Sequence, residues 1–63
     1  MSLMPGDLVK LLSRVAHYPA GTTARVVAVR DGDECIVEFD DGRQLTVAVS
    51  ALEIQRWASL GMN

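Results

Sequence analysis

The sequence predicts an all-β fold: five short strands curled into one small barrel, with a 3₁₀ turn before the last strand. Three observations carry that expectation. Residues 35–49, CIVEFDDGRQLTVAV, are two alternating apolar runs joined by a turn. Two earlier runs, Leu8–Leu12 and Ala24–Arg30, are dominated by leucine and valine. Between the runs stand clusters of loop formers, Pro5-Gly6-Asp7, Pro19-Ala20-Gly21 and Asp31-Gly32-Asp33.

The elements follow in order. Residues 1–4 read as an N-terminal tail, with Met4 the expected natural start. After the turn at Pro5-Gly6-Asp7, Leu8–Leu12 is the first strand. Its parity turns Val9 and Leu11 inward and Leu8, Lys10 and Leu12 outward. Ser13–Thr23, SRVAHYPAGTT, is too long for a hairpin turn and too irregular for a helix, so it reads as a loop. Ala24–Arg30 is the second strand. Val26, Val27 and Val29 do not alternate strictly, and a β-bulge reconciles them.

Parity also settles the hairpin that forms strands three and four. A two-residue turn at Asp41-Gly42 would oppose Phe39 to Gln44 and Val37 to Thr46, mixing polar and apolar faces. A three-residue loop, Asp40-Asp41-Gly42, opposes Val37 to Leu45 and Cys35 to Val47, which leaves one face apolar. It also sets Gly42 at the left-handed position of a type I turn with a bulge, where glycine is the residue of least cost. The expected core is Val9, Leu11, Ala24, Val26, Val37, Phe39, Leu45, Val47 and Leu52.

The tail, SALEIQRWASLGMN, admits two readings. Ser50 and Glu53 have capping-box spacing, Ile54, Trp57 and Ala58 share a helical stripe, and Gly61 can end a helix. Alternatively, one 3₁₀ turn at Ser50-Ala51-Leu52 leads into a short strand through Ile54. The second reading is favoured, because a fifth strand covers an otherwise exposed sheet edge.

Sixty-three residues make one domain, 5–56, followed by a tail, 57–63. Domains of this size are marginal alone and draw on disulfides, metals or oligomerisation. One cysteine and one histidine leave oligomerisation as the expected support. The formal net charge is −2, and six of the eight acidic residues fall between Asp31 and Asp41. They sit at opposite ends of a strand, roughly 15–20 Å apart, and form no single cluster. The six basic residues are spread along the chain and make no nucleic-acid stripe. The lone Cys35 fits a reducing compartment, and no run reaches a membrane span, so the expectation is a cytoplasmic protein without membrane contact.

The order of strand, long loop ending in glycine, strand, turn, hairpin, 3₁₀ turn and short strand resembles the small Src-homology-3-type barrel. The residues that carry the resemblance are Pro5-Gly6-Asp7-x-Val9, Gly21-x-x-Ala24-x-Val26, Val37-x-Phe39-Asp40-Asp41-Gly42 and Ala51-Leu52-Glu53. KOW-type modules of ribosome and transcription proteins share this grammar, and the resemblance implies a barrel that binds protein or RNA. Val49-Ser50-Ala51-Leu52-Glu53 is also similar to the end of the type II dihydrofolate reductases, tetrameric barrels around one pore. Their pore-lining Val-Gln-Ile-Tyr run stands here as Gln44-Leu45-Thr46-Val47, so the activity is not carried over. His17-Tyr18-Pro19-Ala20-Gly21 is similar to a loop in the β-subunit of nitrile hydratase, which is not its metal-carrying subunit.

The residues with chemistry to offer are few. His17 and Tyr18 lie in the long loop, where peptide-binding barrels of this class place groove aromatics. The bland alternative packs the Tyr18 ring on the barrel wall and leaves His17 in water. Cys35 follows Asp33 and Glu34 and faces inward, which suits a buried hydrophobe better than a reactive thiol. Asp31-Gly32-Asp33-Glu34 holds only the start of a calcium loop. Trp57, the sole tryptophan, follows the last barrel element. With Leu60, Met62 and the outward-facing Leu8, Leu12, Ile36 and Ala48, it suggests a second apolar surface. The expected binding residues are therefore His17, Tyr18, Trp57, Leu8, Leu12 and Ile36, with no catalytic residue, cofactor or metal. The expected function is a non-enzymatic module that docks on a protein partner or on a second copy of itself. An RNA- or DNA-contacting accessory barrel is the alternative, and an oligomeric pore enzyme the remote one.

Overall fold

The structure is a computed structural model and describes residues 3–55. Five antiparallel strands form one sheet: β1 (Leu8–Leu11), β2 (Thr23–Val29), β3 (Glu34–Glu38), β4 (Gln44–Ala48) and β5 (Leu52–Ile54). A 3₁₀ turn, Val49–Ala51, joins β4 to β5. It starts one residue earlier than the sequence suggests, and the strand reading of residues 52–54 holds. The helical alternative's remaining positions, Trp57, Ala58 and Gly61, lie outside the described residues, as does the 56/57 boundary.

The sheet order is β4-β3-β2-β1-β5. The strands at its two ends, β4 and β5, are not paired with each other, so the sheet is not the closed barrel expected from the sequence. The 3₁₀ turn accounts for this. It carries the chain from one edge to the other, its first residue still on the β3–β4 ladder (Val49 N–H to the Asp33 carbonyl at 2.7 Å) and its last already on the β1–β5 ladder (Leu12 N–H to the Ala51 carbonyl at 2.9 Å). A turn of three residues can tie two edges together but cannot lay a ladder between them.

The hairpin register follows from hydrophobic parity. Val37 opposes Leu45, and Cys35 opposes Val47. Phe39 N–H donates to the Arg43 carbonyl and Gly42 N–H to the Phe39 carbonyl, both at 2.9 Å. With Gly42 at φ 88°, this is a type I turn closed by a glycine bulge. In β2 the pairing with β3 slips between Val26 and Ala28, so Val27 is the bulged residue that absorbs the broken alternation.

The core lies on one face of the sheet: Val9, Leu11, Ala24, Val26, Cys35, Val37, Phe39, Val47 and Leu52, with Tyr18 from the long loop. Leu45 is only half-buried and packs against this cluster beside Val49 and Ile54.

Candidate functional site

Two regions hold the exposed residues singled out by the sequence, and a third follows from the sheet topology. The first is the long loop. Val15 and Tyr18 exchange backbone hydrogen bonds of 2.9 and 2.8 Å around Ala16 and His17. Ala16 takes φ 53°, a region that alanine enters at some cost. This tight turn throws Tyr18 onto the core. Its ring stacks on Phe39 at 3.8 Å between centroids, the planes 5° apart. Its hydroxyl donates to Asp41 Oδ2 at 2.6 Å. Asp41 Oδ1 meanwhile accepts from the Arg43 N–H at 3.0 Å. The exposed His17 ring leans on Tyr18, 4.1 Å away and tilted 31°.

The electrostatics match that geometry. The hydroxyl of Tyr18 and the backbone N–H of Arg43 hold the Asp41 carboxyl below its ordinary range, with the charges of Arg43 and His17 adding to the effect. Burial, then the bond to Asp41, pushes the Tyr18 hydroxyl above its ordinary value. Tyr18 therefore clamps the loop to the hairpin turn. His17 is the member of the pair that faces solvent. Asp41 had no signature of its own in the sequence. Only the course of the long loop, which no local pattern encodes, brings Tyr18 to it across 23 positions.

The second region is the outer face of the sheet. Leu8 is 42% exposed and Leu12 56%, while Ile36 is half-buried. The register keeps them apart. Leu8 opposes Arg25, and Arg25 opposes Glu38, so a charged pair separates Leu8 from the β3 side. Lys10, opposite Thr23 and Glu53, stands between Leu8 and Leu12. Ile36 lies between Ala28 and Thr46, two residues along β3 from Glu38. Ala48, exposed on β4, opposes Glu34. Among the described residues, Leu8, Leu12, Ile36 and Ala48 thus stand apart with charged residues between them, and the other members of the expected apolar surface, Trp57, Leu60 and Met62, lie outside the described residues. Around Leu8 the face sinks into an open cleft of about 330 Å³, lined by Leu8, Thr23, Arg25, Glu38 and Asp40, with Ala24 and Phe39 behind. Ala24 and Phe39 have their side chains in the core, so they give this cleft backbone.

The third region is the edge of β4, which no strand among the described residues covers and which sequence reading missed. The bonds at Phe39–Arg43 and Asp33–Val49 fix which residues face β3, namely Arg43, Leu45, Val47 and Val49. The intervening Gln44, Thr46 and Ala48 direct their backbone N–H and C=O groups away from the sheet. None of the three is charged and none is proline, the usual guards of an edge.

The remaining candidates are quickly placed. Cys35 is fully buried, and burial followed by the charge of Asp33 raises its thiol pKa. Among the described residues, no three His, Cys, Asp or Glu side chains are placed to hold a metal ion. No helix among them is long and apolar enough to cross a membrane. Comparison with protein-family models, with curated proteins and with solved structures finds no match to this chain.

Proposed function

We propose that this chain is a non-enzymatic interaction module of the small Src-homology-3-like type, which pairs its β4 edge with an extended strand of a second copy of itself. The observation that carries the reading is the row of outward backbone groups at Gln44, Thr46 and Ala48, unguarded by charge or proline. Strand addition to an open edge is a common mode of protein recognition, with main-chain hydrogen bonds supplying the affinity. An antiparallel partner centred on Thr46 opposes Thr46 to its own copy and Gln44 to Ala48, with no like charges facing each other. Dimerisation also meets the needs of a domain too small to be comfortably stable alone, and whose single cysteine cannot form an intrachain disulfide. The Src-homology-3-like reading is supported by the element order and by the 3₁₀ turn ahead of β5.

Light scattering on the eluting protein tests the reading, with Thr46→Pro as the informative variant. Thr46 N–H makes no bond to β3, so proline there removes an outward donor and spares the internal ladder. A dimer in the parent chain and a monomer in Thr46→Pro is the expected result. A parent chain that stays monomeric at high concentration, or a dimer unaffected by Thr46→Pro, overturns it.

A further inference from the structure

We propose that Asp31-Gly32 is a site of spontaneous covalent modification, where Asp31 closes to a succinimide and reopens as isoaspartate, and that the Tyr18 clamp shields the chain's other Asp-Gly pair, Asp41-Gly42, from the same reaction. The sequence holds these two Asp-Gly pairs. Glycine suits the chemistry, because the following residue's nitrogen must swing onto the aspartate Cγ and glycine has no side chain to obstruct it. The Gly32 nitrogen attacks Cγ of the protonated Asp31 carboxyl. The N–Cγ bond forms, the Cγ–OH bond breaks, and one water leaves with the amide proton and the carboxyl hydroxyl. Water then adds to one of the two ring carbonyls. Breaking the N–Cγ bond restores aspartate. Breaking the bond from that nitrogen to the Asp31 main-chain carbonyl carbon gives isoaspartate, with the chain now running through the side-chain methylene. One water is lost and one regained, so water is the only co-reactant.

The two pairs match in exposure and in glycine conformation. All four residues are exposed, and Gly32 and Gly42 take φ 70° and 88°. A Cβ built on either glycine meets nothing within 4 Å. They differ in their hydrogen bonds. Asp41 Oδ1 accepts from the Arg43 N–H at 3.0 Å and Oδ2 from the Tyr18 hydroxyl at 2.6 Å. Turning Cγ toward the Gly42 nitrogen breaks these bonds, and the Gly42 N–H is itself held by the Phe39 carbonyl at 2.9 Å. The same bonds keep the Asp41 carboxyl ionised, and a carboxylate is a poor target for a nitrogen nucleophile. At the other pair, among the described residues, neither the Asp31 carboxyl nor the Gly32 N–H has a hydrogen-bond partner. The nearest tie is Arg30 N–H to the Glu34 carbonyl at 2.9 Å, which closes the turn around both residues. A bond to a charged acceptor that must break first slows ring closure about tenfold or more. This turn lies between β2 and β3, and the inference stands without the dimer.

Ageing the full-length protein at neutral pH in water enriched in the heavy oxygen isotope tests the proposal, since each ring opening takes one oxygen from solvent. Digestion in ordinary water after arginine and glutamate places the two pairs in separate peptides, 31–34 and 39–43, for mass spectrometry. In the folded parent, 31–34 should gain label about tenfold faster than 39–43 or more, and should split into aspartate and isoaspartate forms on chromatography. In the guanidinium-unfolded chain the two rates should converge. Tyr18→Phe keeps the ring and loses the hydroxyl. With its fold checked by circular dichroism, it should raise labelling of 39–43 about tenfold and leave 31–34 unchanged. Three results overturn the proposal: equal labelling of the two peptides in the folded parent, a 31–34 peptide that gains label only when unfolded, or a folded Tyr18→Phe whose 39–43 peptide stays as slow as the parent's. The comparison within the parent decides the Asp31 site whatever the variant does.

Discussion

Replacing Gly42 by alanine isolates the turn on which the hairpin register rests. Gly42 sits at φ 88°, and a Cβ built there meets nothing within 4 Å. The cost is therefore conformational and not steric. Placing an L-residue in the left-handed region costs about 1–2 kcal/mol. Stiffening the unfolded chain returns roughly 0.4–1 kcal/mol. The net loss is on the order of 1 kcal/mol, from a domain whose whole stability should be roughly 3–9 kcal/mol. For a chain this short, each kcal/mol moves the melting temperature by about 4–8 °C. Thermal and urea unfolding followed by far-ultraviolet circular dichroism will read the change. Gly42→Asn should lose less than half as much, because asparagine enters the left-handed region more readily. An alanine variant as stable as the parent, or an asparagine variant no better than alanine, would refute the turn assignment and the register with it.

Three further outcomes follow from the core and the loop clamp. Leu11→Ala, at a position 2% exposed, should cost about 2–5 kcal/mol and move the urea midpoint sharply down; a loss under 1 kcal/mol contradicts the packing. Cys35, with no exposed surface and a raised thiol pKa, should resist a thiol reagent until urea opens the sheet; fast labelling of the native protein would show that β3 is not where it has been placed. Tyr18→Phe should destabilise most in the middle of the pH range. The depressed Asp41 contributes stability above the ordinary carboxylate pKa, and that is lost as pH falls through its folded value. The raised Tyr18 contributes below the ordinary tyrosine pKa, and that is lost as pH rises through its folded value. The deficit of the variant should therefore shrink at both extremes of a urea series across pH, and a constant deficit would exclude the bond as its source.

Much of the fold was legible because a strand has a period of two. Val37, Phe39, Leu45 and Val47 could share a face in one register only, and the three-residue loop supplied it. The bulge was legible for the same reason, since Val26, Val27 and Val29 cannot all be accommodated by strict alternation. Closure of the sheet was not legible. It depends on whether the segment after Ala48 runs beside β3 or crosses to β1, and Val49-Ser50-Ala51 carries no periodicity to decide this. The site was less legible than the fold. Parity picked out Leu8 and Leu12 as outward with Lys10 between them, but only cross-strand pairing shows Arg25 and Glu38 flanking Leu8. The open backbone of β4 depends on the strand order and was invisible until that order was known.

The pairing of β1 with β5 has a consequence for biosynthesis. The β2, β3 and β4 meander joins neighbours along the chain and can assemble before β1 finds its second partner. Leu11 finds Leu52 only after β2, β3 and β4 have been made and have left the ribosome. Until then the flank of β1 away from β2 stays open, and a nascent chain is exposed to capture by chaperones or by its siblings on the same message.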